Sequence, residues 1–252
     1  MAWREERVNN DVILSLVQVT KTFGGLKAVN GVSFEVSKGE IVSLVGPNGS
    51  GKTTLFNCIS GIYTVNNGKI LFLGENISHF SPPRICKIGI GRTFQVVRPF
   101  LRLTCLENIL VGLYFGQEGQ KKESRREGLR MLEFVGLGEK ANKPAMELRL
   151  AERKRLEIAR ALATRPKLLL LDEVAAGLNE AEIQEMIRLL RQIHTQGITL
   201  LVVEHVMSLV MDLSYRVVVL NEGKKIADGL PEIVANDQQV INVYLGQSHD
   251  PP

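Results

Sequence analysis

The stretch Gly46-Pro47-Asn48-Gly49-Ser50-Gly51-Lys52-Thr53-Thr54 constrains this chain more than any other. It follows the apolar run Ile41-Val42-Ser43-Leu44-Val45, which reads as a buried strand, and precedes Leu55-Phe56-Asn57-Cys58-Ile59, which reads as a helix. A G-x-x-x-x-G-K-[ST] string between a strand and a helix is the pattern of a loop that wraps phosphate. Glycines at 46, 49 and 51 permit backbone angles that a side chain forbids, so successive N–H groups can turn inward around an anion. The helix behind them adds the positive end of its dipole and its unpaired N–H groups. Lys52 supplies a full charge for the β- and γ-phosphates, and the Thr53 hydroxyl is placed to ligate Mg²⁺. The expectation is a nucleoside triphosphate site.

At 252 residues the chain can form one large α/β domain or two small ones. Its net charge of +4 is too mild to imply nucleic acid and is equally compatible with a membrane-surface or an acidic partner. Cys58, Cys86 and Cys105 form no CxxC pair, which argues for reduced thiols in a cytosolic protein and against a zinc site or a disulfide scaffold. The first residues, Met1 to Arg7, are charged where a signal peptide is apolar, and no run reaches the roughly 18 apolar residues of a membrane span. A role at a membrane would therefore be that of a peripheral subunit.

Residues 12–37 carry two strand-like stretches, 13–19 and 32–36, with Gly24-Gly25 and Asn30-Gly31 read as loop punctuation and Phe23 placed in the first loop. An aromatic there can stack on an adenine base. A further strand covers 69–74. From Ser81-Pro82-Pro83, a helix start with proline in the first turn, to about Arg165 the chain reads as helical, and the strand series resumes at Lys167. This predicts a core at about 12–80 and 166–252 with a helical subdomain inserted at about 81–165, behind a tail at 1–11. The charged run Lys121 to Glu127 has mixed signs at helical spacing and reads as a solvated face. Ile183, Ile187, Leu190 and Ile193 mark one face of a later helix, and 198–203 a buried strand. Asn221-Glu222-Gly223 joins two short strands, and 231–245 reads as two short helices.

Four leucines run straight into Asp172-Glu173, which places two carboxylates at the carboxyl edge of a parallel sheet, beside the phosphate loop. In that position Asp172 would hold Mg²⁺ through water and Glu173 would polarise the water that attacks the γ-phosphate. His205, two residues past the next apolar strand, sits at the same edge and reads as a γ-phosphate hydrogen-bond partner, whereas His194 lies late in a helix and reads as structural.

Together these residues resemble the ATP-binding subunits of ATP-binding cassette (ABC) transporters. The matches are GPNGSGKTT at 46–54, GRTFQ at 91–95, LEIARAL at 156–162, LLLLDE at 168–173, AAGLN at 175–179 and EH at 204–205. The resemblance implies an α/β P-loop NTPase fold of the ABC ATPase type: a mainly parallel sheet core, an N-terminal antiparallel β subdomain and an inserted helical subdomain. It implies ATP and Mg²⁺ as ligands and Phe23 as the adenine-stacking aromatic. Gln95 would be the glutamine that reaches toward Mg²⁺ and the permease, Asn179 a residue of the loop at the dimer interface, and His205 the switch histidine. It also implies a dimer with a related ATPase subunit, transmembrane permease partners, an extracytoplasmic solute-binding protein, and a place on the inner face of the plasma membrane.

The strings GRTFQ, PFLRLTCLENILVGLY at 99–114 and VEHVM narrow the resemblance to the ATPases of branched-chain or hydrophobic amino-acid importers, with urea importers and lipopolysaccharide export as close relatives. The chain departs from the family where the signature LSGGQ aligns with Leu148-Arg149-Leu150-Ala151-Glu152, and where Val174 replaces the usual proline. The altered signature leaves open a regulatory subunit that holds ATP with weak turnover.

Overall fold

The computed structural model describes residues 12–116 and 121–245, so the expected tail lies outside the described residues. The described residues open with a hairpin of β1 (Val12–Phe23) and β2 (Leu26–Ser37). Leu14 faces Val36, Leu16 faces Phe34 and Val19 faces Val32, all buried, as alternation requires of a sheet with one face on a core. Two details differ from the sequence reading. Phe23 is the last residue of β1 rather than part of a loop, and Asn30-Gly31 lies inside β2. Val19 pairs with Val32 and Lys21 with Val29, so Asn30 and Gly31 oppose a single residue. Their turn signal is used by a β-bulge, with Gly31 at φ 68°.

Strand β3 (Ile41–Val45) leads through the glycine loop into helix α1 (Lys52–Ile59). Strands β4 (Asn67–Phe72) and β5 (Glu75–Asn76) complete a four-stranded antiparallel sheet in the order β2-β1-β4-β5. Helix α2 (Pro82–Ile88) follows, with proline in its first turn and Gly89 closing it in the left-handed conformation. The sequence predicts helix through the next stretch, but Ile90–Arg92 forms β6 and pairs in parallel with β7 (Leu168–Asp172). Between them lie α3 (Cys105–Gly116), α4 (Lys121–Phe134) and α5 (Leu150–Leu162). On α4, Arg125 and Arg126 are exposed, as a solvated face predicts, and Glu127 pairs with Arg165; the side chains of Lys121, Lys122 and Glu123 are outside the described set.

The remainder alternates: α6 (Glu180–Thr195), β8 (Thr199–Val203), α7 (Met207–Leu213), the hairpin β9 (Arg216–Asn221) and β10 (Lys224–Gly229), then α8 (Pro231–Ala235) and α9 (Gln238–Leu245). The second sheet runs β10-β9-β3-β8-β7-β6, parallel except for β10 at its edge. Strands β3, β7 and β8 are buried along their whole length because both faces of the sheet are covered there. Leu168 and Leu170 pack with α1 and the antiparallel sheet, while Leu169 and Leu171 pack with α3, α5 and α6, where Ile183, Ile187, Leu190 and Ile193 supply the predicted face. The carboxyl ends of β3, β7 and β8 lie side by side, with Asp172 registered on Val203 and Val203 on Leu44. That edge carries the candidate site.

Candidate active site

The phosphate loop owes its shape to glycine at two points. Gly46 has φ 147°, and a Cβ there would lie 2.1 Å from Leu220 O; Gly51 has φ 101°, and its Cβ would lie 2.3 Å from Ala28 O. No side chain fits either place. Lys52 is 5% exposed, and its Nζ donates to Gly46 O and Pro47 O, each at 2.8 Å, and to Ser50 Oγ at 3.3 Å. Burial pulls the Lys52 ammonium below the usual lysine range, while Glu173 and Asp172 push it back up. Asn48, Gly49 and Thr53 face solvent, and Thr54 is half-buried at the helix start.

Glu173 is the meeting point of the predicted residues. His205 Nε2 lies 3.0 Å from its Oε1, and Gln95 Nε2 donates to its Oε2 at 2.8 Å. Residues 78 and 32 positions away in sequence thus grip one carboxylate from two sides. Its backbone is held as firmly: φ is 50°, a left-handed conformation uncommon for a residue with a side chain, and it is fixed by Glu173 N donating to Val203 O (2.9 Å) and Lys154 Nζ donating to Glu173 O (2.8 Å). Asp172 is 2% exposed; its Oδ2 pairs with Arg92 Nη2 at 3.0 Å, while among the described residues its Oδ1 has no hydrogen-bond partner. Burial pushes the Asp172 carboxyl up, and Arg92 opposes that shift.

Arg92 and Glu204 lie inside matched strings, but the sequence reading assigns no role to either, nor to Lys154. Arg92 also donates to Asn57 Oδ1 (2.7 Å) and Ser60 Oγ (2.6 Å), tying α1 to Asp172. Lys154 is buried near Glu204, Glu157 and Glu173. Glu204 accepts from Ala175 N (2.8 Å) and His205 N (3.2 Å), so it sets the backbone on either side of the catalytic candidates. The one signal available was charge at buried positions of a helix or just past an apolar strand.

Other predicted residues stand apart from Glu173. Phe23 is 43% exposed and meets the Tyr63 ring edge-on at 5.1 Å, with Lys21 Nζ at the same distance from its ring. Asn179 caps α6: its side chain accepts from Glu182 N, and Glu182 accepts from Asn179 N, both at 3.0 Å. Leu148 is buried, Arg149 and Leu150 are exposed, and Ala151 is half-buried at the start of α5. Glu152 accepts from Arg149 N at 3.1 Å and forms an ion pair with Lys140, so its charge is already engaged within the chain. Among the described residues no hydrogen bond joins 148–152 to the phosphate loop or to Glu173.

The set fits a magnesium nucleotide. The donors are oxygens of the kind Mg²⁺ prefers, Asp172 Oδ1 is a buried acceptor without a partner among the described residues, and the loop is a cradle that a Cβ would fill. Residues 29–176 match the ABC transporter family. The chain belongs to that family. The cassette is thus an ABC ATPase, of a family that binds nucleotide, and its residues 224–250 match the branched-chain amino acid ATP-binding cassette transporter family. It is 41% identical over 253 residues to the high-affinity branched-chain amino acid transport ATP-binding protein BraF of Pseudomonas aeruginosa, covering 94% of this chain and 98% of that one. LivG of Escherichia coli, of the same description, is 41% identical over 251 residues with the same coverage. A crystal structure of the ADP conformation of an ATP-binding cassette of an ABC transporter superposes with a TM-score of 0.87 at 32% identity, covering 94% of this chain and all of that one. Among the described residues no helix of the cassette is long and apolar enough to cross a membrane.

Proposed function

We propose that the cassette hydrolyses ATP to power import of branched-chain or other hydrophobic amino acids. The similarity to BraF and LivG supports the substrate class, and the grip of Gln95 and His205 on Glu173 supports the chemistry. Phe23 stacks on the adenine, and the N–H groups of Gly46 to Thr54 with the Lys52 ammonium hold the phosphates. Thr53, Gln95 and Asp172 would hold Mg²⁺, which neutralises phosphate charge when bound. Glu173 orients a water and accepts its proton as the oxygen attacks the γ-phosphorus; the bond to the β-γ bridging oxygen breaks, giving ADP and phosphate. In this structure His205 and Gln95 hold the Glu173 carboxylate; with ATP bound, His205 would exchange that contact for a hydrogen bond to the γ-phosphate.

In this reading the cassette pairs with a related ATPase subunit and works as a peripheral subunit under transmembrane permeases on the inner face of the plasma membrane, fed by an extracytoplasmic solute-binding protein. Gln95 and the segment after it form the coupling surface. A second reading, a nucleotide-holding subunit with weak turnover, draws on the altered signature at 148–152. Uptake of labelled leucine by proteoliposomes holding the cassette with its partner ATPase, permeases and binding protein tests the function. ATP-dependent uptake abolished by Lys52→Ala is expected, and uptake indifferent to that change refutes it.

A further inference from the structure

Gly223, in the turn between β9 and β10, is joined to two parts of the site at once. Its N–H donates to Ser50 O of the phosphate loop at 3.0 Å, and its carbonyl accepts from Asn30 N of β2 at 2.8 Å. It adopts φ 74°, and a Cβ there would lie 2.9 Å from Ala28 O, 3.0 Å from Lys27 O and 3.1 Å from Ala28 C, all backbone atoms. A Cβ on Gly51 would lie 2.3 Å from the same Ala28 carbonyl oxygen and 3.5 Å from Gly223 Cα. Three backbone segments therefore meet with no side chain between them. The β2 segment in this junction continues into the hairpin tip, where Lys27 pairs with Thr22 and Leu26 with Phe23.

We propose that Gly223 is a positioning residue that fixes the distance between the aromatic at the tip of the antiparallel sheet and the phosphate loop, so that one nucleotide spans both. The proposal rests on the reading of Phe23 as the base-stacking residue. A ligand that touches both subsites gains from their fixed spacing, whereas one that touches only the loop does not. A side chain at 223 pushes β2 off the loop without removing any phosphate-binding group.

The test compares binding of Mg·ATP and of magnesium tripolyphosphate to the full chain by calorimetry. Gly223→Ala is expected to weaken ATP about tenfold more than tripolyphosphate, the order that base stacking supplies. In a Phe23→Ala background the same change should cost ATP no more than tripolyphosphate. Equal losses for both ligands in the Phe23 parent, or an undiminished ATP affinity, overturn the proposal. An ATP affinity unchanged by Phe23→Ala alone removes the base-stacking reading instead, and the spacing argument with it. If Gly223→Ala does not fold, Gly223→Asn is read in the same way, since asparagine enters positive φ more readily. Amide exchange of the unaltered protein needs no variant: Mg·ATP should slow exchange at Gly223 and Asn30 more than tripolyphosphate does, and equal slowing contradicts the proposal.

Discussion

Arg92 Nη2 lies 3.0 Å from Asp172 Oδ2, with both side chains withdrawn from solvent. The guanidinium also holds Asn57 and Ser60 of α1, so one residue of a three-residue strand joins the phosphate-loop helix to the carboxylate strand. A planar fork suits this geometry, and a lysine could not copy it.

Breaking that pair should be costly. Arg92→Met leaves the Asp172 carboxylate buried and uncompensated, at a cost of about 3–5 kcal/mol in unfolding free energy. Arg92→Met with Asp172→Asn should cost less than the sum of the single changes. Urea denaturation of the four proteins measures this, and strict additivity would show that the two groups do not interact.

Lys52 should dominate nucleotide affinity. Its ammonium is buried among loop carbonyls, so phosphate oxygens replace acceptors already arranged around it. Lys52→Ala should weaken Mg·ATP by about 10- to 100-fold, the worth of hydrogen bonds to a charged group. An unchanged dissociation constant would remove the phosphate-site reading.

Stability should fall as pH rises above the ordinary carboxylate value. Burial raises the Glu204 carboxyl from its usual 4.5, so in the window from there up to its raised pKa the folded state holds more protons than the unfolded one. Its contribution is fully present below 4.5 and lost as pH rises through the folded value. Glu204→Gln should flatten that slope in melting experiments run upward from pH 4.5. A slope identical to the parent's would assign the dependence elsewhere, with Asp172 and Glu157, raised for the same reason, as the next candidates.

The altered signature should make the two ATP sites of an assembled dimer unequal. Arg149 cannot copy a serine hydroxyl, and Ala151 puts a Cβ where a glycine would let backbone approach phosphate. Repulsion from Glu152 is the weaker part of the argument, because Lys140 and Arg149 N engage that carboxylate. A homodimer should hydrolyse ATP slowly, and Arg149→Ser with Ala151→Gly should speed it. A homodimer already as fast as the double variant would contradict this.

The glycine loop, the strand ending in Asp172-Glu173 and the buried face of α6 were legible because each is a local pattern: a fixed spacing, a run, a period. Strand β6 was not, since three residues are too few to show alternation and their pairing with β7 is set 78 positions away. Asn30-Gly31 looked like a turn because sequence does not separate a turn from a bulge, which use the same backbone freedom. Arg92 lies in the GRTFQ string and Gly223 in a turn signal, yet their roles, like that of Lys154, exist only once distant segments meet.

Glu173 bears the central claim, and Glu173→Gln tests it most directly. The amide preserves size and can still meet Gln95 and His205, but it accepts a proton poorly and orients water less strongly than a carboxylate. Steady-state ATP turnover of the assembled dimer should fall by about 100-fold or more while Mg·ATP affinity holds, the loss general-base catalysis predicts. Turnover within about twofold of the parent, well short of that loss, would make Glu173 a structural residue and contradict the account.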